Sequence, residues 1–374
     1  MMAFCELYNT QFSVGQGGLH LGELYVDNLS EYKLYVYIYD CGAINTNNLH
    51  KQIDNLVTKL VQPELKIQSK PVKLSKIRIF LSHLHQDHVN GLIYLKEKFI
   101  ENNIQLTDGK IELYLPHMEE IEKNIILCSY INDNNISFDD YKKLIANPND
   151  FFNDYFKVIY VDAENGKNLK DNGDGTYLMS HYQNITLSPD NCWLLRMFYR
   201  KISIEKNQQI KKISKMNFND ITPDNVKIFQ GNYKKFLGIK DINLSSLCLY
   251  FGMTNNKSKY SYIHTGDINL RNANIQNELK EHYKDYIYNI SYVQIPHHGS
   301  KYNSTLDSLN ELFPNNRQLF VTKQENPNGH QQPKLSDEYI DTKKVYQVTE
   351  NNNSKYSTTH NCSFEMIEST NFYK

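Results

Sequence analysis

Apolar and polar residues alternate over 4–14 and 21–26, on either side of the glycine-rich stretch Gly15-Gln16-Gly17-Gly18, which predicts two strands around a turn. Residues 33–39 alternate in the same way and run into Asp40-Cys41-Gly42, a strand that ends in a turn. Helical spacing follows over 49–61, then a short β-rich run at 76–81, a helix at 92–99 and a strand at 110–115. After residue 118 the character changes. Residues 118–129 and 139–156 carry helical spacing, followed by a strand over 157–161 and a Gly/Asn/Asp-rich turn at 165–175. From 243 the alternation returns, with strands at 247–251 and 260–264 paired across a turn at 254–258. Further strands are expected at 291–295, 318–322, 344–348 and 363–367, with helices at 275–286, 306–313 and 335–340. Two βα-rich segments flanking an irregular middle predict two stacked αβ halves with their sheets inside. The expected organisation is one domain over 1–374, with 118–242 as a mixed helical and β insertion or lid within it.

Composition narrows the function only a little. The chain of 374 residues is 40% hydrophobic and 22% charged, ordinary for a folded globular protein. A net charge of −1 excludes a globally basic nucleic-acid binder but leaves room for a local basic groove. The opening residues lack a charged leader with an apolar stretch, and no run approaches the ~18 apolar residues of a membrane span. A cytoplasmic protein without a membrane is therefore expected. Cys5, Cys41, Cys128, Cys192, Cys248 and Cys362 are scattered without CxxC pairs, which argues against a zinc ribbon and a disulfide framework. Residues 200–240 hold ten basic against three acidic residues, with Phe218, Phe229, Tyr233 and Phe236 interleaved. Such an arm would suit a phosphodiester or nucleic-acid substrate. The opposite bias over 118–176, twelve acidic against six basic, marks a solvated face or a dock for a protein partner.

The chemistry concentrates at Ser82-His83-Leu84-His85-Gln86-Asp87-His88. Three histidines and a carboxylate within six residues are an unfavourable load for an apolar core, since each needs a partner. At a strand end opening into a helix, His83 and His85 can point to one side and Asp87 and His88 to a neighbouring position. Two adjacent sites rich in nitrogen and oxygen ligands result, suited to Zn²⁺ or to Mn²⁺ and Fe. Two later segments answer this one. His264-Thr265-Gly266-Asp267 places Asp267 at a strand terminus, where a carboxylate can bridge two metals. Pro296-His297-His298-Gly299-Ser300 ends another strand in paired histidines.

This set of HxHxDH, TGD and PHHGS resembles the metallo-β-lactamase-fold hydrolases, in the version found in the hydrolase domain of the competence protein ComEC. The likeness extends to Val14-Gly15-Gln16-Gly17, to Asp40-Cys41-Gly42, to NLSSLCL over 243–249, to NPNGHQQP over 326–333 and to VYQVTEN over 345–351. It covers residues 4–117 and 243–368 and is not evident across most of 118–242. It implies a four-layer αββα metallo-β-lactamase sandwich and two divalent metal ions, zinc first, with manganese or iron as alternatives. In that pattern His83 and His85 bind one metal, Asp87, His88 and one histidine of the pair bind the other, and Asp267 bridges them. His297 is expected as the ligand and His298 as the group facing substrate, although strand-end geometry leaves the reverse open. A water or hydroxide held between the metals would then attack the substrate.

Asp87, His298 and His330 are accordingly the catalytic candidates, and Ser300, Lys301 and Ser304 the candidate phosphate contacts. Asp40 is expected to orient the histidines, and His181 is a candidate for the additional ligand of the β-lactamase branch. A phosphodiesterase or nuclease acting on nucleic acid or a nucleotide is the leading expectation. The alternatives are a lactone, thioester, β-lactam or phosphocholine-ester hydrolase on the same scaffold, or a regulatory module that binds a partner. The membrane channel that accompanies the ComEC hydrolase domain has no counterpart here, so DNA uptake does not transfer.

Overall fold

The computed structural model describes residues 2–28, 30–62, 70–130, 136–152, 155–163, 169–187, 193–201, 212–213, 215–232, 245–253, 260–323, 336–340, 345–350 and 356–365. They form two mixed sheets. The first has nine strands in the order β16-β1-β2-β3-β4-β5-β6-β8-β7 and the second has seven in the order β15-β14-β13-β12-β11-β10-β9. The first is built from β1 (Met2–Gln11), β2 (Gly17–Asn28), β3 (Glu31–Ala43), β4 (Val72–Phe80), β5 (Ile111–Pro116), β6 (Phe156–Asp162), β7 (Lys170–Asp171), β8 (Tyr177–Ser180) and β16 (Tyr356–Glu365). The second contains β9 (Ile185–Thr186), β10 (Trp193–Phe198), β11 (Cys248–Met253), β12 (Ser261–His264), β13 (Ile290–Gln294), β14 (Gln318–Thr322) and β15 (Val345–Val348).

Strand β3 explains why the sheets stack. It is buried along nearly its whole length, as a strand covered on both faces must be. Its alternation sends Leu34, Val36 and Ile38 one way and Tyr35, Tyr37 and Tyr39 the other. The tyrosines meet Trp193, Leu249, Phe251 and Tyr262 of the second sheet, so the two sheets share a core rich in aromatic rings. The aliphatic face lies under α1 (Thr46–Val61), α3 (Leu92–Glu101), α4 (Glu120–Cys128) and α5 (Phe138–Ala146), which follow the short α2 (Gln86–Val89). Helix α1 is typical: Asn45 caps it by accepting from Asn48 N, and Leu49, Ile53, Leu56, Val57 and Leu60 form its buried stripe. The outer face of the second sheet is covered by α8 (Ala273–His282) and α9 (Leu306–Leu312). The remaining helices are α6 (Asn149–Phe152), α7 (Pro223–Asn232) and α10 (Asp337–Ile340). The architecture is a four-layer αββα sandwich.

Within residues 118–242, β6, β8 and β7 extend the first sheet, and β9 and β10 extend the second. Strand β10 pairs with β11 over six positions, Trp193↔Met253 to Phe198↔Cys248. The expected helix over 139–156 breaks at Pro148, leaving α5 and α6 before β6 begins. The last strand begins earlier than expected, at Tyr356, and pairs with β1 along its length. No helix among the described residues is long and apolar enough to cross a membrane.

Strands β3, β4, β5, β6 and β8 are parallel neighbours, as are β12, β13, β14 and β15. Parallel strands end on one side of a sheet. The segments after β4, β12 and β13 therefore leave their sheets at carboxyl edges, and Leu247 N donating to Ser82 O (2.7 Å) ties the two edges together.

The inter-sheet core can be tested through the single tryptophan. Trp193 stacks on Phe251 with ring centroids 5.0 Å apart, and both are fully buried. Phe251→Ala should lower unfolding stability by about 3–5 kcal/mol and change Trp193 emission, both read in a urea titration followed by fluorescence.

Candidate metal centre

The turn after β4 is held by close backbone contact. A Cβ on Gly17, at φ +136°, would lie 2.2 Å from Gly42 O and 2.7 Å from Asp87 O; one on Gly42 would lie 2.5 Å from His88 C. Only glycine lets the 87–89 backbone come so near the β2–β3 pair. Asn90, where the resembling family has glycine, accepts from Ala43 N (3.0 Å) and donates to Ala43 O (2.8 Å), fastening the turn from its other end. From α5, Tyr141 Oη donates to Leu84 O (2.6 Å). The His83–His88 segment is thus gripped by β2, β3 and a helix of the middle region.

Asp40, itself at φ +58°, is the hub beneath the histidines. Its Oδ1 accepts from Ser82 N (2.7 Å), and its Oδ2 accepts from Ser82 Oγ (2.9 Å) and His88 Nδ1 (2.9 Å). Because the Ser82 hydroxyl hydrogen goes to Asp40, Ser82 Oγ accepts from His83 Nδ1 (2.9 Å). Both histidines thereby donate from Nδ1 and turn Nε2 inward. His83 Nε2 meets His85 Nδ1 at 2.9 Å. Asp267 lies opposite, its N donating to Ser246 Oγ (3.1 Å) after Gly266, at φ +53°, where a Cβ would stand 2.6 Å from Ser82 Cβ.

The carboxylate of Asp267 touches two sets of groups. Its Oδ1 is 3.6 Å from His88 Nε2 and 3.9 Å from His298 Nε2; its Oδ2 is 3.9 Å from His83 Nε2 and 3.6 Å from His297 Nε2. Asp87 Oδ2 is 3.6 Å from His298 Nε2 and 3.9 Å from His88 Nε2, and accepts from Gln16 Nε2 (3.5 Å). Two groups, His83–His88–Asp267 and Asp87–His88–His298, bring three ligand atoms each within 4.8 Å of one another. The Nε2 atoms of His85, His88 and His298 are buried without a hydrogen-bond partner. Imidazole nitrogens gathered around buried carboxylate oxygens are what a divalent cation would satisfy. The donor set fits metal ions.

The electrostatics agree. Burial holds His83 well below its ordinary pKa and brings His85 down to about 4, so both present neutral rings. Burial opposes charge on His88 as well, but Asp40, Asp267 and Asp87 together raise it to about 10. Burial would raise the pKa of both carboxylates and is outweighed by the imidazoles: His88 and His298 hold Asp87 well below the usual range, and His297, His88 and His298 lower Asp267. Without a metal, a proton on His88 stands in for its positive charge.

The His298 side chain, expected to face substrate, is 5% exposed, sits beside Asp87 and has Nδ1 against Thr322 O (3.1 Å). His297 is the outer ring, 26% exposed. Both residues adopt left-handed backbone, φ +50° and +53°, at a cost of about 1–3 kcal/mol each. That strain turns adjacent rings towards one carboxylate. Ser300 and Ser304 are buried; Ser300 Oγ accepts from Tyr302 N (3.3 Å), and Ser304 Oγ is paired with Tyr339 Oη (2.7 Å). Lys301 is exposed, its Nζ over the Tyr302 ring.

His181 is not among the clustered ligands. Its Nδ1 accepts from Tyr199 N (2.9 Å), and its ring packs against Phe198, Tyr182 and His282. His330 and residues 202–211, 214 and 233–240 of the basic segment lie outside the described residues. Asn303, Ser246 and Thr322 had no role in the sequence reading. Asn303 and Ser246 stand within quoted motifs, but what they touch is fixed only across strands.

No family model matches the chain, and no curated protein matches it in sequence. Among solved structures it is similar to a long form RNase Z from yeast, at 13% identity and a TM-score of 0.39, over 89% of this chain and 39% of that one. It is similar to unliganded yeast PDE1, at 12% identity and a TM-score of 0.40, over 87% of this chain and 90% of that one. A protein of unknown function from Enterococcus faecalis V583 follows, at 11% identity and a TM-score of 0.31, over 93% of this chain and 78% of that one. The chain spans about two fifths of the length of the RNase Z. These overall likenesses are low, and the reading of the site rests on its own side chains.

Two measurements test the centre. Because His88 carries a proton up to a pKa of about 10, Zn²⁺ added to metal-free protein at pH 7.5 should release that proton into a weakly buffered solution. His88→Gln should remove the release. Asp40→Asn, which takes the charge and one acceptor from under His88, should weaken metal binding about 10–100-fold in a chelator competition.

Proposed function

We propose that this chain is a metal-dependent hydrolase that cleaves phosphodiesters with two divalent cations. His83, His85 and Asp267 Oδ2 would hold the first, and Asp87, His88, His298 and Asp267 Oδ1 the second. The observation that carries the reading is the buried Asp267 carboxylate, whose two oxygens face different histidines at 3.6–3.9 Å. Cations bound there supply Lewis acidity and make water a nucleophile at neutral pH.

The protein's own part is positioning. Asp40 and Ser82 hold His83 and His88 in the tautomer with Nε2 free to bind, and Thr322 O does the same for His298. Gln16 steadies Asp87 from the β1–β2 turn, while burial keeps His83 and His85 neutral and therefore able to ligate. With His83, His88 and His298 tied from behind, little reorganisation of those rings is needed on binding.

The phosphodiester choice is supported by the ComEC-like motif set and by Lys301, an exposed cation three residues beyond His298.

The test is hydrolysis of bis(p-nitrophenyl) phosphate and of single-stranded DNA by protein loaded with Zn²⁺ or Mn²⁺. Both should be cleaved, with chelation abolishing turnover and Asp87→Ala lowering kcat/KM by roughly three orders of magnitude, about 4 kcal/mol of transition-state stabilisation. Metal-loaded protein that leaves every phosphodiester intact but opens a lactone would overturn the choice of substrate.

A further inference from the structure

The first cation site as drawn has three protein ligands and the second has four. We infer that His297 is the missing fourth ligand, so that the adjacent histidines His297 and His298 divide between the two metals. The inference rests on the two-cation reading of the centre and is independent of the substrate.

Asn303 decides the tautomer of His297. Its Nδ2 donates to Asp267 O (3.0 Å), and a carbonyl oxygen can only accept, so the orientation of the amide is fixed. The amide oxygen must therefore face His297 Nδ1, which it does at 2.8 Å. His297 consequently carries its proton on Nδ1 and presents a lone pair at Nε2. That lone pair stands 3.6 Å from Asp267 Oδ2, the oxygen that also faces His83 Nε2. A lone pair opposite a carboxylate oxygen calls for a cation or a donor between them, and at 26% exposure the His297 ring is open enough for an ion to reach it. His83, His85, Asp267 and His297 then form a three-imidazole, one-carboxylate set of the kind zinc accepts.

The backbone supplies the reason for two left-handed residues in a row. In an extended chain neighbouring side chains point to opposite faces, and only one of the pair could reach the site. At φ +50° and +53° the two rings instead stand 6.0 Å apart at 62°, one towards each oxygen of the same carboxylate. His298 is anchored by Thr322 O and His297 by Asn303 Oδ1, two unrelated acceptors serving one arrangement. Asn303 is a positioning residue for His297 and for Asp267 together.

The experiment is metal stoichiometry and affinity of the full chain, by elemental analysis after dialysis and by chelator competition. Wild-type protein is expected to retain two equivalents of Zn²⁺. His297→Ala should lower the affinity of one equivalent by more than 10-fold, His298→Ala that of the other, and Asn303→Leu should weaken the His297 equivalent by about 10–100-fold. A second readout needs no variant: the Co²⁺-substituted wild type should show five strongly shifted exchangeable imidazole N–H resonances in its proton spectrum. Four such resonances, or His297→Ala protein holding two equivalents at wild-type affinity, would overturn the inference and leave His297 a substrate contact. Wild-type protein that binds fewer than two equivalents overturns the two-cation reading and the inference with it. Two equivalents with the expected losses, in protein that cleaves no phosphodiester, would remove the proposed substrate and support the ligand assignment.

Discussion

A buried carboxylate surrounded by imidazoles governs this molecule's functional edge. Asp267 is 4% exposed, and its charge must be answered locally because burial alone would drive its pKa upward. The answer comes from His83, His88, His297 and His298, which reach it from two other segments of the chain. Each of those rings needs a partner on its far side. Asp40, Ser82, Asn303 and the Thr322 carbonyl provide them. The close approach of Gly17, Gly42 and Gly266 to the ligand-bearing turns follows from the same requirement, since no side chain fits between them.

The site is therefore an unfavourable arrangement held by a strong scaffold. Left-handed backbone at Asp40, His297 and His298, and buried nitrogens without partners, all cost stability. The inter-sheet core offsets them: Tyr37, Tyr39, Trp193, Phe251 and Tyr262 are fully buried and pack against one another across the sheets. Even there the chain is polar in places. His20, Tyr37, Asn9 and His264 form a hydrogen-bonded group inside the sandwich, with His264 three residues before Asp267. A metal would relieve the strain at the edge, and its binding energy would count towards folding.

Much of this was legible along the chain. The period-two runs located β1 to β5 and β11 to β14, and 3.6-residue spacing located α1, α3 and α9. The strands of the middle region give weak signals. Strands β7, β8 and β9 are two to four residues long, and β10 (WLLRMF) is apolar without alternation because it is covered on both faces. Short or two-faced strands carry no clean period, so their membership in a sheet depends on neighbours far away in sequence. The partner of Ser304 is likewise invisible along the chain, because Tyr339 comes from another helix.

What the sequence determined by itself was the identity of the ligand-bearing segments and their position at strand ends. Histidine and carboxylate at HxHxDH spacing, and again after two later β-runs, cannot be read as core without leaving many polar atoms unpaired. Only the tertiary structure decided how those groups are shared. Whether His297 or His298 is buried, which oxygen of Asp267 each one faces, and which tautomer each adopts depend on Asn303, Thr322 and a pair of positive φ angles. Those are contacts across strands and a local backbone inversion, and residue spacing along the chain encodes neither.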